Sequence, residues 1–169
     1  MEYEIKKFSD LEYAMQNDVA SKVAAYTNGE LGEIPQMLPV QPEDVIKKFV
    51  GFVALQNDTL AGFVGSTDPI EWAGLLMSEV GSLWVPKEFR NHGVANSLVK
   101  VISDYLLGEG LQPFAFVNPK SNSIFNRNGY LDAVNGEIPD SAFGLCTGCK
   151  HKPANGCCDR VVIYTGAKE

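Results

Sequence analysis

Two segments of the chain carry residues whose types and spacing can do chemistry. The first runs Leu83-Trp84-Val85-Pro86-Lys87-Glu88-Phe89-Arg90-Asn91-His92-Gly93-Val94-Ala95-Asn96. It ends an apolar strand, makes a loop and opens an amphipathic helix. A helix N-terminus presents unpaired backbone N–H groups and about half a positive charge, so it is a ready site for phosphate. Gly93 removes a Cβ that would block close approach of an anion, Ala95 is small, and Arg90 adds a permanent cation. His92 can donate to a phosphate, its plainer role being that of a solvent-facing loop residue. The segment is neither a Walker loop nor a Gly-x-Gly-x-x-Gly fingerprint. Alone, Arg-x-x-Gly-x-Ala also reads as an ordinary helix start.

The second segment holds all four cysteines: Cys146 and Cys149, then Cys157 and Cys158, with His151 between the pairs. Cys-x-x-Cys followed by a second pair suits a tetrahedral metal such as Zn²⁺, and Gly148 and Gly156 allow the tight turns of ligand knuckles. Adjacent ligands to one metal are uncommon, so His151 is the alternative fourth ligand. Disulfides, a redox Cys-x-x-Cys and free thiols remain open readings. A reducing compartment argues against disulfides. A loop of about 25 residues with little apolar content also needs a staple to order itself.

These segments need a scaffold. Residues 2–8 alternate as a short edge strand. Ser9 or Asp10 then caps a helix whose apolar positions are Leu11, Met15, Val19, Val23 and Tyr26. Residues 27–41 form a long loop, including Glu30 and Glu33, which are placed to meet a cationic group or simply to face solvent. Pro42-Glu43-Asp44 opens a short helix. Phe52–Gln56 and Leu60–Gly65 read as a hairpin about Asn57-Asp58. Met77–Val85 is a strand, Gly93–Leu107 the strongest helix, Phe114–Val117 a buried strand, and Lys120–Arg127 a helix. Tyr130–Val134 and Val161–Tyr164 are the last strands, flanking a Gly- and Cys-rich insertion over residues 135–159. The order defines a mixed α/β (α+β) domain, one domain over residues 1–169.

The strand, loop and helix over residues 79–96 resemble the signature of the GNAT superfamily of acyl-CoA N-acyltransferases. The chain supplies Glu79-Val80-Gly81-Ser82-Leu83-Trp84-Val85-Pro86, then Arg90-Asn91-His92-Gly93-Val94-Ala95. A second block, Asn118-Pro119-Lys120-Ser121-Asn122-Ser123-Ile124-Phe125-Asn126-Arg127-Asn128-Gly129-Tyr130, follows at the matching interval. The resemblance implies a mostly antiparallel sheet with splayed middle strands and helices on both faces. It implies that the amides of Arg90, Asn91, His92, Gly93, Val94, Ala95 and Asn96 hold the pyrophosphate of acetyl-CoA. Main-chain groups of Leu83, Trp84 and Val85 would pair with the pantetheine arm, and Asn118 would contact it from the facing strand. Phe125, also on the cofactor side, stands where many relatives carry a Tyr that acts as general acid. Tyr130, Ser121 or a water are the substitutes, Tyr130 fitting core packing better. Glu79 matches a general base, its plainer reading being an exposed strand residue. The implied reaction is acetyl transfer from acetyl-CoA to an amine by direct attack in a ternary complex. Relatives mostly lack the Cys-rich insertion.

Composition limits the alternatives. The 169 residues hold 14 Lys and Arg against 21 Asp and Glu, a net charge of −7. A pI near 4.8 disfavours a nucleic-acid binder, including a zinc-dependent accessory domain. The charge is split: residues 1–84 carry 13 acids and 5 bases, residues 85–169 carry 8 and 9. The second half therefore tolerates anions, and the first suits a cationic amine. No apolar run approaches the ~20 residues of a membrane span, and the acidic start is not a secretory signal, which predicts a cytoplasmic protein. The remaining competitor is a CoA-binding or metal-stabilised interaction module without turnover. A homodimer is compatible with the sequence, which does not set the oligomeric state.

Overall fold

The structure, a computed structural model, describes residues 2–29, 40–133 and 160–166. Its elements are β1 (Glu4–Lys7), α1 (Tyr13–Thr27), α2 (Pro42–Ile46), β2 (Val50–Gln56), β3 (Thr59–Ser66), β4 (Ile70–Trp72), β5 (Leu75–Trp84), α3 (Val94–Gly108), β6 (Gln112–Val117), α4 (Pro119–Arg127), β7 (Tyr130–Asp132) and β8 (Arg160–Tyr164). The strands form one sheet in the order β1-β2-β3-β5-β6-β8-β7, with β4 paired to β5. Every pairing is antiparallel except β5 with β6.

Local chemistry accounts for the elements. Asn57 and Asp58 both take positive φ, 48° and 62°, which gives the β2–β3 hairpin the turn twist its strands need. Their short side chains tolerate the left-handed region. The α1 helix buries Val19, Ala20, Val23, Ala24 and Thr27, a stripe at helical spacing. It starts later than the sequence predicts, because Phe8–Asp10 makes a separate 3-10 turn that buries Phe8. In α2, Pro42 opens the helix, and the Asp44 carboxylate accepts from the Gln41 amide at 2.8 Å.

The core has two main parts, one on each face of the sheet. On one face Val94, Leu98, Val99, Ile102 and Leu106 of α3 pack with Phe125 and Tyr130 against Phe52, Val64, Val80 and Ala115. On the other, Val19 and Val23 of α1 and Val45 of α2 pack with Phe8 against Val53, Phe63 and Trp84. Gly62 is required where α3 crosses β3: a Cβ there would lie 2.9 Å from Leu98 Cδ1 and 3.0 Å from Val94 Cγ1. Two sequence expectations are adjusted. The strand expected from Met77 begins at Leu75, because a short hairpin with Ile70–Trp72 extends it; three residues about an Ala73-Gly74 turn were too few to read as a strand. The strand expected over Tyr130–Val134 ends at Asp132.

Candidate active site

The fold positions a slot at the middle of the sheet. Parallel pairing joins Met77, Ser78 and Glu79 to Gln112, Pro113 and Phe114, and stops there. Beyond that point β5 pairs only with β3, and β6 runs to Val117 paired only with β8. The C-terminal halves of β5 and β6 therefore diverge. A β-bulge accompanies the divergence. Phe63 opposes Trp84 and Gly65 opposes Gly81, so two steps on β3 match three on β5. The extra residue is accommodated by Ser82, at φ 52°. A bulge resets which face each side chain takes. Val80, Leu83 and Val85 all meet the α3 face, while Trp84 is buried on the α1 face against the Tyr26 ring, 5.6 Å between centroids. Sequence reasoning missed Ser82, because nothing but a glycine or asparagine signals a left-handed position inside a strand.

The slot opens toward the start of α3. A 3-10 turn at Lys87–Phe89 buries Phe89 and anchors the loop. Arg90 Nε donates to the Val85 carbonyl at 2.9 Å, which ties the cation to the end of β5. Asn91 at φ 63° and Gly93 at φ 82° both take left-handed backbone. Gly93 is the N-cap of α3 and no side chain caps the helix. The first helical bond is Ser97 N–H to the Gly93 carbonyl at 3.0 Å. The amides of Val94, Ala95 and Asn96 thus have no intrahelical acceptor. A left-handed residue followed by helical ones turns successive N–H groups into one concavity, the geometry of an anion nest. Asn91 and His92 are exposed, and Ala95 and Asn96 are half-buried. Asn96 Oδ1 accepts from Asn128 Nδ2 at 3.4 Å, joining this end of α3 to the end of α4.

The opposite wall comes from the end of β6 and the start of α4. Asn118 caps α4: its Oδ1 accepts from the amides of Lys120 at 2.9 Å and Ser121 at 3.0 Å. Ser121 Oγ accepts from the Asn118 amide at 3.1 Å and so completes a reciprocal cap. Asn122 Oδ1 on the next position is buried with no hydrogen-bond partner among the described residues. It was not singled out in the sequence; only the structure shows that its polarity is unspent. Phe125 is 3% exposed and packs edge-on against Tyr130, centroids 5.0 Å apart. Tyr130 is fully buried, with its hydroxyl 2.6 Å from Ser103 Oγ, and burial pushes its phenol well above the ordinary range. It is a core residue, as its apolar surroundings suggest.

Glu79 stands where pairing with β6 ends. Its backbone is fixed by Thr67, whose amide donates to the Glu79 carbonyl at 3.0 Å and whose Oγ1 accepts from the Glu79 amide at 3.2 Å. Its side chain is half-buried. Burial raises its carboxyl above the ordinary value, and the Lys48 ammonium pulls it partly back. Glu30 and Glu33, and the whole cluster Cys146, Cys149, His151, Cys157 and Cys158, lie outside the described residues.

A mixed sheet that splays beside a bulged strand, with an anion nest at its mouth, is the arrangement implied by the resemblance to acyl-CoA transferases. Comparison with known proteins agrees. Residues 21–130 match the acetyltransferase (GNAT) family, and the chain belongs to that family. It is 28% identical over 144 residues to an uncharacterized N-acetyltransferase of Chlorobaculum tepidum, covering 85% of this chain and 88% of that protein. Its fold is similar to that of an acetyltransferase of the GNAT family from Staphylococcus aureus Mu50, with a TM-score of 0.66 at 14% identity, over 98% of this chain and 100% of the other. It also resembles N-acetylglutamate synthase from Neisseria gonorrhoeae, solved with coenzyme A and N-acetylglutamate: TM-score 0.67, 15% identity, 99% of this chain and 36% of that one. No described helix is long and apolar enough to cross a membrane.

Proposed function

We propose that the chain transfers the acetyl group of acetyl-CoA to an amine by direct attack within a ternary complex. The observation that carries this is the end of β5–β6 pairing at Glu79 and Phe114, which opens a slot leading to the uncapped start of α3. The residues fit the donor. Amides from Asn91 to Asn96 form the nest for its pyrophosphate; the Arg90 amide, also expected there from the sequence, instead donates to the Lys87 carbonyl at 3.2 Å, and Arg90 adds charge. The β5 segment Leu83-Trp84-Val85 has no β6 partner and offers its main chain to the pantetheine arm. Asn118 presents its amide nitrogen, which has no partner among the described residues, from the facing wall. When bound, acetyl-CoA supplies the activated acyl carbon and a thiolate leaving group.

The protein's own residues then have separable tasks. Glu79 accepts the proton of the acceptor ammonium, directly or through one water, since only the free amine is a nucleophile. A β5 main-chain amide polarises the carbonyl as negative charge develops on its oxygen. Phe125 has no proton to give and Tyr130 is sealed in the core, so the thiolate leaves without the tyrosine acid that many relatives use. That same observation favours a second reading, a CoA-binding module of low turnover. The acidic first half of the chain suits a cationic acceptor, and a cytoplasmic setting suits the donor.

A panel assay separates the two readings. Release of free thiol from acetyl-CoA is followed with tyramine, spermidine, kanamycin, a peptide with a free N-terminus and a lysine-rich peptide. Amine-dependent release from at least one acceptor is expected; donor binding without release from any supports the module. The proposal also places Zn²⁺ on Cys146, Cys149, Cys157 and Cys158, with His151 as the alternative ligand, on spacing alone. Protein purified without added zinc should carry about one equivalent. Less than about a tenth of an equivalent would remove the site.

A further inference from the structure

Three strands each place a glycine at one level of the sheet. Gly51 of β2 opposes Gly65 of β3, and Gly65 opposes Gly81 of β5. Mid-strand glycines weaken a sheet unless something must approach its backbone closely. Here three side chains fill the trough. The Phe63 ring lies over Gly51, 3.1 Å from where a Cβ would stand. The Lys48 stem lies over Gly65, with Cδ 2.2 Å from the corresponding point. Glu79 Oε1 lies over Gly81 at 3.2 Å. The neighbouring glycines thus bring Lys48 and Glu79 side by side on the α1 face. Lys48 also lines a cavity of about 440 Å³ bounded by Phe8, Gln16, Ile46 and Gly51.

Among the described residues the charges around this pair are few: Lys7 lines the same cavity but donates to Tyr105 Oη at 3.1 Å, and Glu43 and Lys47 are exposed. The strands β3 and β6, which flank β5, contain no ionisable residue. On β4, Glu71 is exposed. On α1, Asp18 and Lys22 pair with each other at 2.7 Å in solvent, Tyr13 is exposed and Tyr26 stacks on Trp84. On α3, Lys100, Asp104 and Tyr105 belong to the opposite face of the sheet. On α2, Asp44 supports the Lys48 charge. Among the described residues, Lys48 supplies the charge that opposes Glu79's burial.

We propose that Lys48 is a positioning residue for the transfer reaction: threaded over Gly65, its ammonium keeps the Glu79 carboxyl in its ionised, proton-accepting form. The three-glycine row provides the room this requires. The proposal rests on Glu79 being the base. Burial alone moves Glu79 the other way, toward a protonated acid that cannot take a proton from an amine. Lys48 is itself held below its ordinary value by burial, and Glu79 and Asp44 oppose that shift. The two side chains therefore stabilise each other's charged forms.

The test is a carbon-13 NMR titration of the Glu79 side-chain carboxyl in the full chain, assigned with E79Q. It is run on wild type, K48M, K48R and G65A. K48M keeps the stem that fills the trough and removes the charge. G65A keeps the charge and expels the stem, and melting curves establish that each variant is folded. In K48M the Glu79 midpoint should rise by about one pH unit or more. G65A should move it the same way, and K48R should return it toward wild type. The acid limb of kcat/KM, measured with the best acceptor of the panel, should move with it. A midpoint unchanged within about 0.3 units in both K48M and G65A overturns the proposal, whatever E79Q does. A moved midpoint together with wild-type turnover in E79Q removes Glu79 as the base, and with it Lys48's part in the reaction.

Discussion

At the scale of single residues, the proposed chemistry concentrates on Glu79. E79Q should lower kcat by roughly 10²–10⁴-fold while leaving donor affinity nearly unchanged, as measured by thiol release and by titration with acetyl-CoA. Unchanged turnover would assign the proton transfer elsewhere. The raised carboxyl also has a stability signature. A carboxyl whose folded pKa lies above its unfolded one binds its proton more tightly in the folded chain. Its contribution is therefore fully present below the unfolded value and is lost as pH rises through the folded value. Between those limits, wild type should lose melting temperature relative to E79Q as pH increases; parallel curves would contradict the assignment. The sequence singles out Glu79 by its place before the Leu83–Asn96 block, and the structure puts it where β5–β6 pairing ends. Lys48 was not. Its partnership depends on the register that aligns Gly51, Gly65 and Gly81, which are 14 and 16 positions apart along the chain. Local spacing carries no trace of that.

At the scale of elements, two backbone features shape the slot. Ser82 holds the bulge of β5 at positive φ, where a β-branched side chain is strongly disfavoured. Ser82→Val should cost about 1–3 kcal/mol and weaken acetyl-CoA binding together, because strain there re-aims Leu83 and Trp84. Denaturant titration and calorimetry read the two effects. Loss of stability with donor affinity intact would separate the bulge from the slot. Gly62 sets the distance between α3 and β3. Gly62→Ala should cost about 1–3 kcal/mol, since the new Cβ meets Leu98, Val94 and the Trp84 carbonyl at 3.1 Å or less. The long helix and the apolar strands were readable because periodicity is local. Ile70–Trp72 and the bulge were not, because one is three residues long and the other is a serine in a role that glycine usually advertises.

At the scale of the whole molecule, one interruption organises the site. The sheet is continuous through β5, yet β5 pairs with β6 over only three residues before the two strands part. The nest at Gly93, the main chain of Leu83–Val85 and the α4 wall at Asn118 all border that opening. The order of elements was legible in the sequence because the strand, loop and helix blocks follow one another closely. The strand order was not, since it depends on contacts between distant segments. Binding of acetyl-CoA in the slot tests this account most directly. At a concentration of about 100 times Kd, a ligand of the native state adds about 2.7 kcal/mol, or roughly 5–10 °C in Tm for a chain of this size. Calorimetric titration should give one site per chain, with a matching rise in Tm. No binding heat and no rise in Tm at about 1 mM acetyl-CoA, a concentration above most donor requirements, would contradict it.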